Sequence, residues 1–115
     1  MSDYPYRSDG LPPIHPGEHL RDDLEALEMS AAELARRIKV PTNRVTEILN
    51  GQRSVTADTA LRLGQFFGTG PELWLRLQQR YDLKKAVAEI GPEVQSIQRY
   101  QPADAAGSSE AFAGR

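Results

Sequence analysis

Residues 30–50 read Ser-Ala-Ala-Glu-Leu-Ala-Arg-Arg-Ile-Lys-Val-Pro-Thr-Asn-Arg-Val-Thr-Glu-Ile-Leu-Asn, and this stretch predicts two short helices joined by a tight turn. Leu34, Ala35 and Ile38 share one face of the first helix at the period of about 3.6 residues. Ser30 is a suitable N-cap, and Glu33 follows at the spacing of a capping box. A proline after the turn cannot continue the first helix but can start the second.

The second helix of this pair has an apolar inner face and a polar outer face. Val45, Ile48 and Leu49 point inward at helical spacing. The outward positions are polar: Thr42, Asn43, Thr46, Glu47 and Asn50. This spacing is typical of proteins that place a helix in the DNA major groove. The alternative is an ordinary helical hairpin with no ligand.

Charge is distributed unevenly along the chain, whose formal net charge is −2. Residues 1–30 hold two basic and seven acidic side chains, whereas residues 31–55 hold five basic and two acidic ones. The helix pair is therefore the basic segment of an acidic chain, as contact with phosphates requires. A charge cluster can also be merely a solvated face. The cluster supports DNA binding because it coincides with the helix pair.

Length and composition limit the remaining possibilities. With 115 residues and 39 % hydrophobic content, the chain predicts one domain with a modest core. It has no cysteine, which suits a cytoplasmic protein. No segment resembles a signal peptide or a membrane span. We expect a flexible arm over 1–13, a helical domain over 14–90, and a short helical turn followed by a disordered tail over 91–115.

Three further helices complete an all-α, five-helix prediction. The first begins at Pro16 and carries Leu20, Leu24 and Leu27 on its apolar face. The fourth follows Thr56 as N-cap and runs to Phe67, with Gly68 as its stop. Its apolar stripe is Ala60, Leu63 and Phe67, with Leu61 and Phe66 beside it.

The fifth helix begins at Pro71 and is expected to break at Gly91-Pro92. It carries a stripe of large apolar residues, namely Leu73, Trp74, Leu77 and Tyr81. This stripe could pack against the first and fourth helices, or it could form a dimer interface, because small domains rarely expose such patches. Both interpretations remain open at this point.

Several motifs together resemble the HigA-type antitoxins of the lambda-repressor-like helix-turn-helix superfamily. The motifs are Ile14-His-Pro-Gly-Glu18, Ala32-Glu-Leu-Ala35, Val40-Pro-Thr-Asn-Arg-Val45, Glu47-Ile-Leu-Asn-Gly51, Thr56-Ala-Asp-Thr-Ala-Leu-Arg-Leu63, Phe66-Phe-Gly68, Pro71-Glu-Leu-Trp-Leu75 and Gln79-Arg-Tyr-Asp-Leu83. Two positions depart from the pattern, since Lys39 and Glu28 stand where the family usually or often has glycine. A left-handed turn at Lys39 would cost about 1 kcal/mol relative to glycine.

The resemblance implies a homodimeric repressor that binds a palindromic operator and holds a small basic HigB-like toxin, an mRNA-cleaving ribonuclease, inactive. The alternative is a free-standing transcriptional regulator with no toxin partner. A toxin-neutralising module without DNA binding is disfavoured by the basic segment. RNA binding is disfavoured because no aromatic stacking surface accompanies the basic residues.

DNA contacts follow from the way recognition helices dock. Their N-terminal side chains face base edges. We therefore assign base contacts to Thr42, Asn43, Thr46 and Glu47. Asparagine can bond adenine through two hydrogen bonds, threonine can pack on a thymine methyl, and glutamate can accept from cytosine N4. The expected phosphate contacts are Ser30 and Ala31 through backbone N–H groups, Arg44, the amide near Asn50, and Arg53.

An acidic face on the first helix is a candidate surface for the toxin. It comprises Asp22, Asp23, Glu25 and Glu28, whose charge is opposite to that of a basic ribonuclease. A merely solvated helix face is the competing interpretation.

One motif suggests an enzyme. His15-Pro-Gly-Glu-His19 matches the H-x-x-E-H pattern of some zinc peptidases. It straddles a helix start, however, and these are the only two histidines of a chain without cysteine. We therefore predict no catalytic residue, no metal and no cofactor.

Overall fold

The computed structural model describes residues 10–102, and in this range the chain forms five α-helices and no strand. They are α1 (Pro16–Leu27), α2 (Ala31–Ile38), α3 (Thr42–Leu49), α4 (Ala57–Phe67) and α5 (Pro71–Gln95). The predicted all-α helix-turn-helix fold is confirmed. The predicted flexible arm over 1–13 and disordered tail fall largely on residues 1–9 and 103–115, which lie outside the described residues.

Polar side chains cap the helices where the sequence predicts. The Ser30 hydroxyl accepts a hydrogen bond from the Glu33 N–H at 3.1 Å. Thr56 accepts from the Thr59 N–H at the start of α4. The Glu33 carboxylate accepts hydrogen bonds from Arg36 and Arg37. The start of α2 is thus tied to its own last turn.

Left-handed residues end both α1 and α2. Glu28 has φ 54° and Lys39 has φ 66°, although neither is glycine. At each end the next residue, Met29 or Val40, donates its N–H five residues back, to Leu24 or Ala35. This is the hydrogen-bond pattern of a Schellman motif, in which the residue after the left-handed one packs back on the helix. Met29 and Val40 accordingly pack against the core.

The core lies between the five helices, and its centre is the fully buried indole of Trp74. Its buried apolar members are Leu20, Leu24, Leu34, Ala35, Ile38, Val45, Ile48, Val55, Ala60, Leu63 and Trp74. The prediction that Leu27 joins this core is wrong, since its side chain is 52 % exposed. The chain turns at Glu28, so Met29 fills the place beside Leu24. Leu61 is also exposed, on the outer side of the α4 stripe.

Two glycines allow backbones to approach closely. A Cβ on Gly17 would lie 1.9 Å from the Ile48 carbonyl oxygen, so α1 crosses α3 without room for a side chain. A Cβ on Gly64 would lie 2.3 Å from the Gly70 carbonyl carbon, at the entry to α5. Gly17 therefore sets the distance between α1 and the C-terminal end of α3.

The fifth helix does not break at Gly91-Pro92, and that prediction is wrong. The helix continues to Gln95, with Gly91 buried and Pro92 inside it. Inside a helix, proline lacks the N–H for the hydrogen bond to residue i−4 and its ring collides with that carbonyl group, and it also collides with the Cβ and N–H of the preceding residue. Because the preceding residue is glycine, part of that collision is absent. In the described range, no helix is both long and apolar enough to cross a membrane.

Candidate nucleic-acid interface

The outer face of α3 presents its polar residues as the sequence predicts. Val45 and Ile48 are buried and fix the helix against the core. Thr42 and Asn43 at its first turn are exposed, so both side chains can reach a groove. Thr46 is half-buried, and its hydroxyl donates to the Asn43 carbonyl oxygen at 3.3 Å.

Two residues with different predicted roles are joined in one ion pair. The Arg53 guanidinium, in the loop after α3, lies 2.7–2.8 Å from Glu47 Oε1. Glu47 was predicted to contact a base and Arg53 a phosphate. Within this pair, the Arg53 charge offsets that of a carboxylate that would otherwise repel phosphates.

Arg44 also has a partner within the chain. Its guanidinium lies 2.9 Å from Asp58 Oδ1, and Arg62 lies 2.7 Å from the same oxygen. Arg62 also donates to the carbonyl oxygens of Ile38 and Lys39, at the C-terminus of α2. The hydrogen bonds from Arg62, and then from Arg44, lower the pKa of Asp58. This network joins the recognition helix α3 to α2 and α4.

The remaining predicted phosphate contacts lie at helix ends. Ser30 is exposed and Ala31 half-buried at the start of α2. Asn50 is exposed after α3, but its backbone N–H is donated to the Thr46 carbonyl oxygen at 3.0 Å. The phosphate contact expected from a loop amide near Asn50 stays a prediction. Arg37 and Arg36 lower the pKa of Glu33, which shares the α2 surface with them.

The acidic face of α1 is present on the surface. Asp22, Glu25 and Glu28 are exposed, whereas Asp23 is half-buried and lies 3.6 Å from His19. Arg21, on the same helix, donates to the Leu49 carbonyl oxygen at 2.9 Å and so caps α3. Arg21 therefore ties α1, which carries these carboxylates, to the C-terminal end of α3.

The apolar stripe of α5 divides into core and surface. Trp74 is 0 % exposed and packs on Phe67 and His19. Its side chain therefore cannot contact a second copy of the chain. Its assignment to a dimer interface is wrong, because the protomer already encloses it. Leu73, Leu77 and Tyr81 are half-buried, and Tyr81 packs edge-on against His15 at 4.8 Å between centroids.

The two histidines serve packing and capping. His15 Nδ1 accepts a hydrogen bond from the Gly17 N–H at 2.8 Å, which makes His15 the N-cap of α1. Burial lowers the pKa of His15, opposed by a hydrogen bond to the backbone of Arg53. His19 stacks edge-on against Trp74. Within residues 10–102, no group of three or more histidine, aspartate or glutamate side chains is arranged to hold a metal.

Gln78 is buried in the core of the domain and was not among the predicted site residues. Its amide contacts the loop after α3 through the N–H of Val55 at 2.7 Å. The available signal is its place four residues after Trp74, a spacing that puts a polar residue on a core face. Polar groups at such positions need partners, so this one marks a buried hydrogen-bond network.

Comparison with known proteins gives consistent matches. A helix-turn-helix family model, HTH_3, matches residues 20–74. Virulence-associated protein I of Dichelobacter nodosus is 48 % identical over 77 residues, which are 66 % of this chain and 71 % of that protein. An addiction module antidote protein of the HigA family from Coxiella burnetii is 54 % identical with a TM-score of 0.76, over 78 % of this chain and 100 % of that one. The Pseudomonas aeruginosa antitoxin HigA, solved with the higBA promoter, is 42 % identical with a TM-score of 0.74, over 77 % and 99 % of the two chains.

Proposed function

This chain belongs to the HigA family of helix-turn-helix antitoxins, and we propose that it binds operator DNA through α3 and represses its own promoter. The observation that carries the proposal is the first turn of α3. Thr42 and Asn43 are exposed there, while buried Val45 and Ile48 hold the helix rigidly. The similar Pseudomonas aeruginosa antitoxin, solved with promoter DNA, supports this role.

Asn43 is the first proposed base contact, because an exposed asparagine can form two hydrogen bonds with adenine. Thr42 supplies a methyl and a hydroxyl beside it, and Thr46 is a further reader. Glu47 contacts a base only if it releases Arg53, whose freed guanidinium would then reach a phosphate. Binding would thus exchange an internal ion pair for two intermolecular contacts.

The test is the binding of the full-length chain to a labelled duplex of its own upstream region and to a shuffled duplex. We expect Asn43→Ala to weaken binding to the promoter by about 1–3 kcal/mol and to leave the shuffled duplex unaffected. Arg53→Ala should weaken both duplexes and flatten the salt dependence, because a phosphate contact carries no sequence information. Equal losses on both duplexes for Asn43→Ala would refute its assignment as a base reader.

A homodimer would supply the specificity that one short helix lacks. Leu73, Leu77 and Tyr81 are the proposed contacts, because α5 leaves them half-buried in the protomer. Two copies related by a two-fold axis would read half-sites about 34 Å apart. Sedimentation equilibrium of Leu77→Glu against the wild-type chain tests the interface, and an unchanged dimer mass would reject it.

The second part of the proposed function is the neutralisation of a HigB-like toxin ribonuclease. The acidic face of α1 is the proposed surface, since Asp22 and Glu25 are exposed one turn apart and attract a basic partner. We expect the double reversal Asp22→Lys and Glu25→Lys to weaken toxin binding in calorimetry. The control reverses Glu89 and Glu93 on α5, which gives the same change of net charge. Equal affinities for both double variants would reject the α1 surface.

A free-standing transcriptional regulator is the competing function, because the DNA-facing residues would be the same. Co-expression with the product of the adjacent reading frame separates the two: an antitoxin rescues growth and a free regulator does not. In either case we propose a cytoplasmic binding protein rather than an enzyme. Both histidines already serve as a helix cap and as packing partners, which supports this view.

A further inference from the structure

Gln78 makes the most extensive buried polar contacts of α5. Its side chain is only 6 % exposed, and its Oε1 accepts the buried Val55 N–H at 2.7 Å. Its Nε2 donates to Asp82 Oδ1 at 2.9 Å and to the Ser54 hydroxyl at 3.4 Å. One side chain of α5 thus holds two consecutive residues of the loop that follows the recognition helix.

That loop, Gly51 to Val55, is fixed at both ends. At its start, Gln52 donates its N–H to the Glu47 carbonyl oxygen at 2.8 Å, which closes the end of α3. At its end, Val55 is only 3 % exposed. The Arg53 side chain therefore projects from a loop that α3 holds at its start and α5 holds at its end.

We propose that Gln78 is a positioning residue for DNA binding: it fixes the 51–55 loop so that Arg53 meets a phosphate. The inference rests on the proposed function, because it requires α3 and its following loop to face DNA. Loss of the Gln78 amide would leave the Val55 N–H buried without an acceptor, and a buried unpaired N–H is relieved by moving toward water. Such a movement displaces the loop backbone from which Arg53 would reach a phosphate.

Asp82 supports this role by orienting the amide. A glutamine side chain has a donor end and an acceptor end, and only one orientation presents oxygen to Val55. The Asp82 carboxylate accepts from Nε2 and so selects that orientation. Because Asp82 is exposed, its replacement perturbs the orientation without opening a cavity in the core. The same helix carries the half-buried Leu77 and Tyr81, so the proposed dimer contacts and the loop anchor share one rigid element.

The test measures operator binding as a function of salt, a quantity that lost stability alone does not alter. Gln78→Met keeps the size of the side chain but removes the acceptor. We expect its slope of log K against log salt to be shallower by about 0.9 per protomer, the value for one phosphate contact. Arg53→Ala should show the same change, and the double variant should show no further one. Phe66→Leu, which trims the core in α4, is the control and should keep the wild-type slope.

A wild-type slope in folded Gln78→Met, or additive losses with Arg53→Ala, would overturn the inference. If Gln78→Met does not fold, Asp82→Ala and Asp82→Asn provide the same comparison. The alanine variant should flatten the slope, whereas asparagine keeps an acceptor oxygen and should restore it; wild-type slopes in both would overturn the inference. In each of these cases wild-type binding still supports the proposed function. If the wild-type chain itself shows no preference for promoter DNA, the proposed function and this inference fail together.

Discussion

Replacing Lys39 with glycine should stabilise the protein, because the backbone at this residue is left-handed. Lys39 has φ 66° and ψ 48°, a conformation that places Cβ close to the following carbonyl group. Removing that Cβ relieves about 1–2 kcal/mol. Glycine adds freedom to the unfolded chain, which takes back about 0.4–1 kcal/mol. The expected net gain is about 0.5–1 kcal/mol in the free energy of unfolding.

Thermal and urea unfolding of the wild-type chain, Lys39→Gly and Lys39→Ala measure this gain. A gain of about 1 kcal/mol raises Tm by roughly 4–8 °C in a domain of this size class. Alanine is the matched control, because it removes the lysine charge but keeps Cβ, and should give no comparable rise. Glu28→Gly, at φ 54°, should behave in the same way, and the two gains should add. If Lys39→Gly and Lys39→Ala have the same stability, backbone strain at this turn is not the cause.

Three other substitutions test the packing. Gly17→Ala should lower the free energy of unfolding in urea by about 1–3 kcal/mol or more, because its Cβ would lie 1.9 Å from the Ile48 carbonyl oxygen. An unchanged free energy of unfolding would mean that α1 and α3 can separate freely. Leu27→Lys should change the free energy of unfolding by no more than about 0.5 kcal/mol, because this leucine is exposed. A loss of roughly 2–5 kcal/mol, the range typical of core truncations, would contradict its placement outside the core. His15 has a lowered pKa in the folded state, so the unfolded chain binds more protons and Tm should fall as pH drops through the ordinary value of 6.5. His15→Asn, which keeps a cap acceptor, should lose that part of the pH dependence, and an unchanged Tm profile would reject the assignment.

The helix starts and the local caps could be predicted from the sequence because they depend on neighbouring residues. Ser30 and Thr56 act within one turn, and their capping hydrogen bonds form where the pattern indicates. The exposure of Leu27 depends instead on the turn at Glu28 and on which residues pack against the last turn of α1. Gly91-Pro92 is a similar case, since a glycine before proline lowers the local penalty that the sequence rule assumes.

The outward placement of the polar residues on α3 could be predicted from the sequence, but their ion pairs could not. The outward face of α3 follows from helical period alone, so Thr42 and Asn43 are placed correctly. The pairing of Arg53 with Glu47, and of Arg44 with Asp58, depends on how the 51–55 loop and α4 fold over α3. Gln78 lies 23 residues from its backbone partner Val55, a separation at which local pattern carries no information.

The most direct test of the account is a hydroxyl-radical footprint of the full-length chain on its own promoter. We predict two protected half-sites about 34 Å apart, related by a two-fold centre, because two copies of α3 would enter successive major grooves. Asn43→Ala should lose the protection of both half-sites at concentrations that saturate the wild-type chain. Protection at a single site with no symmetric partner, or a pattern unchanged by Asn43→Ala, would contradict it.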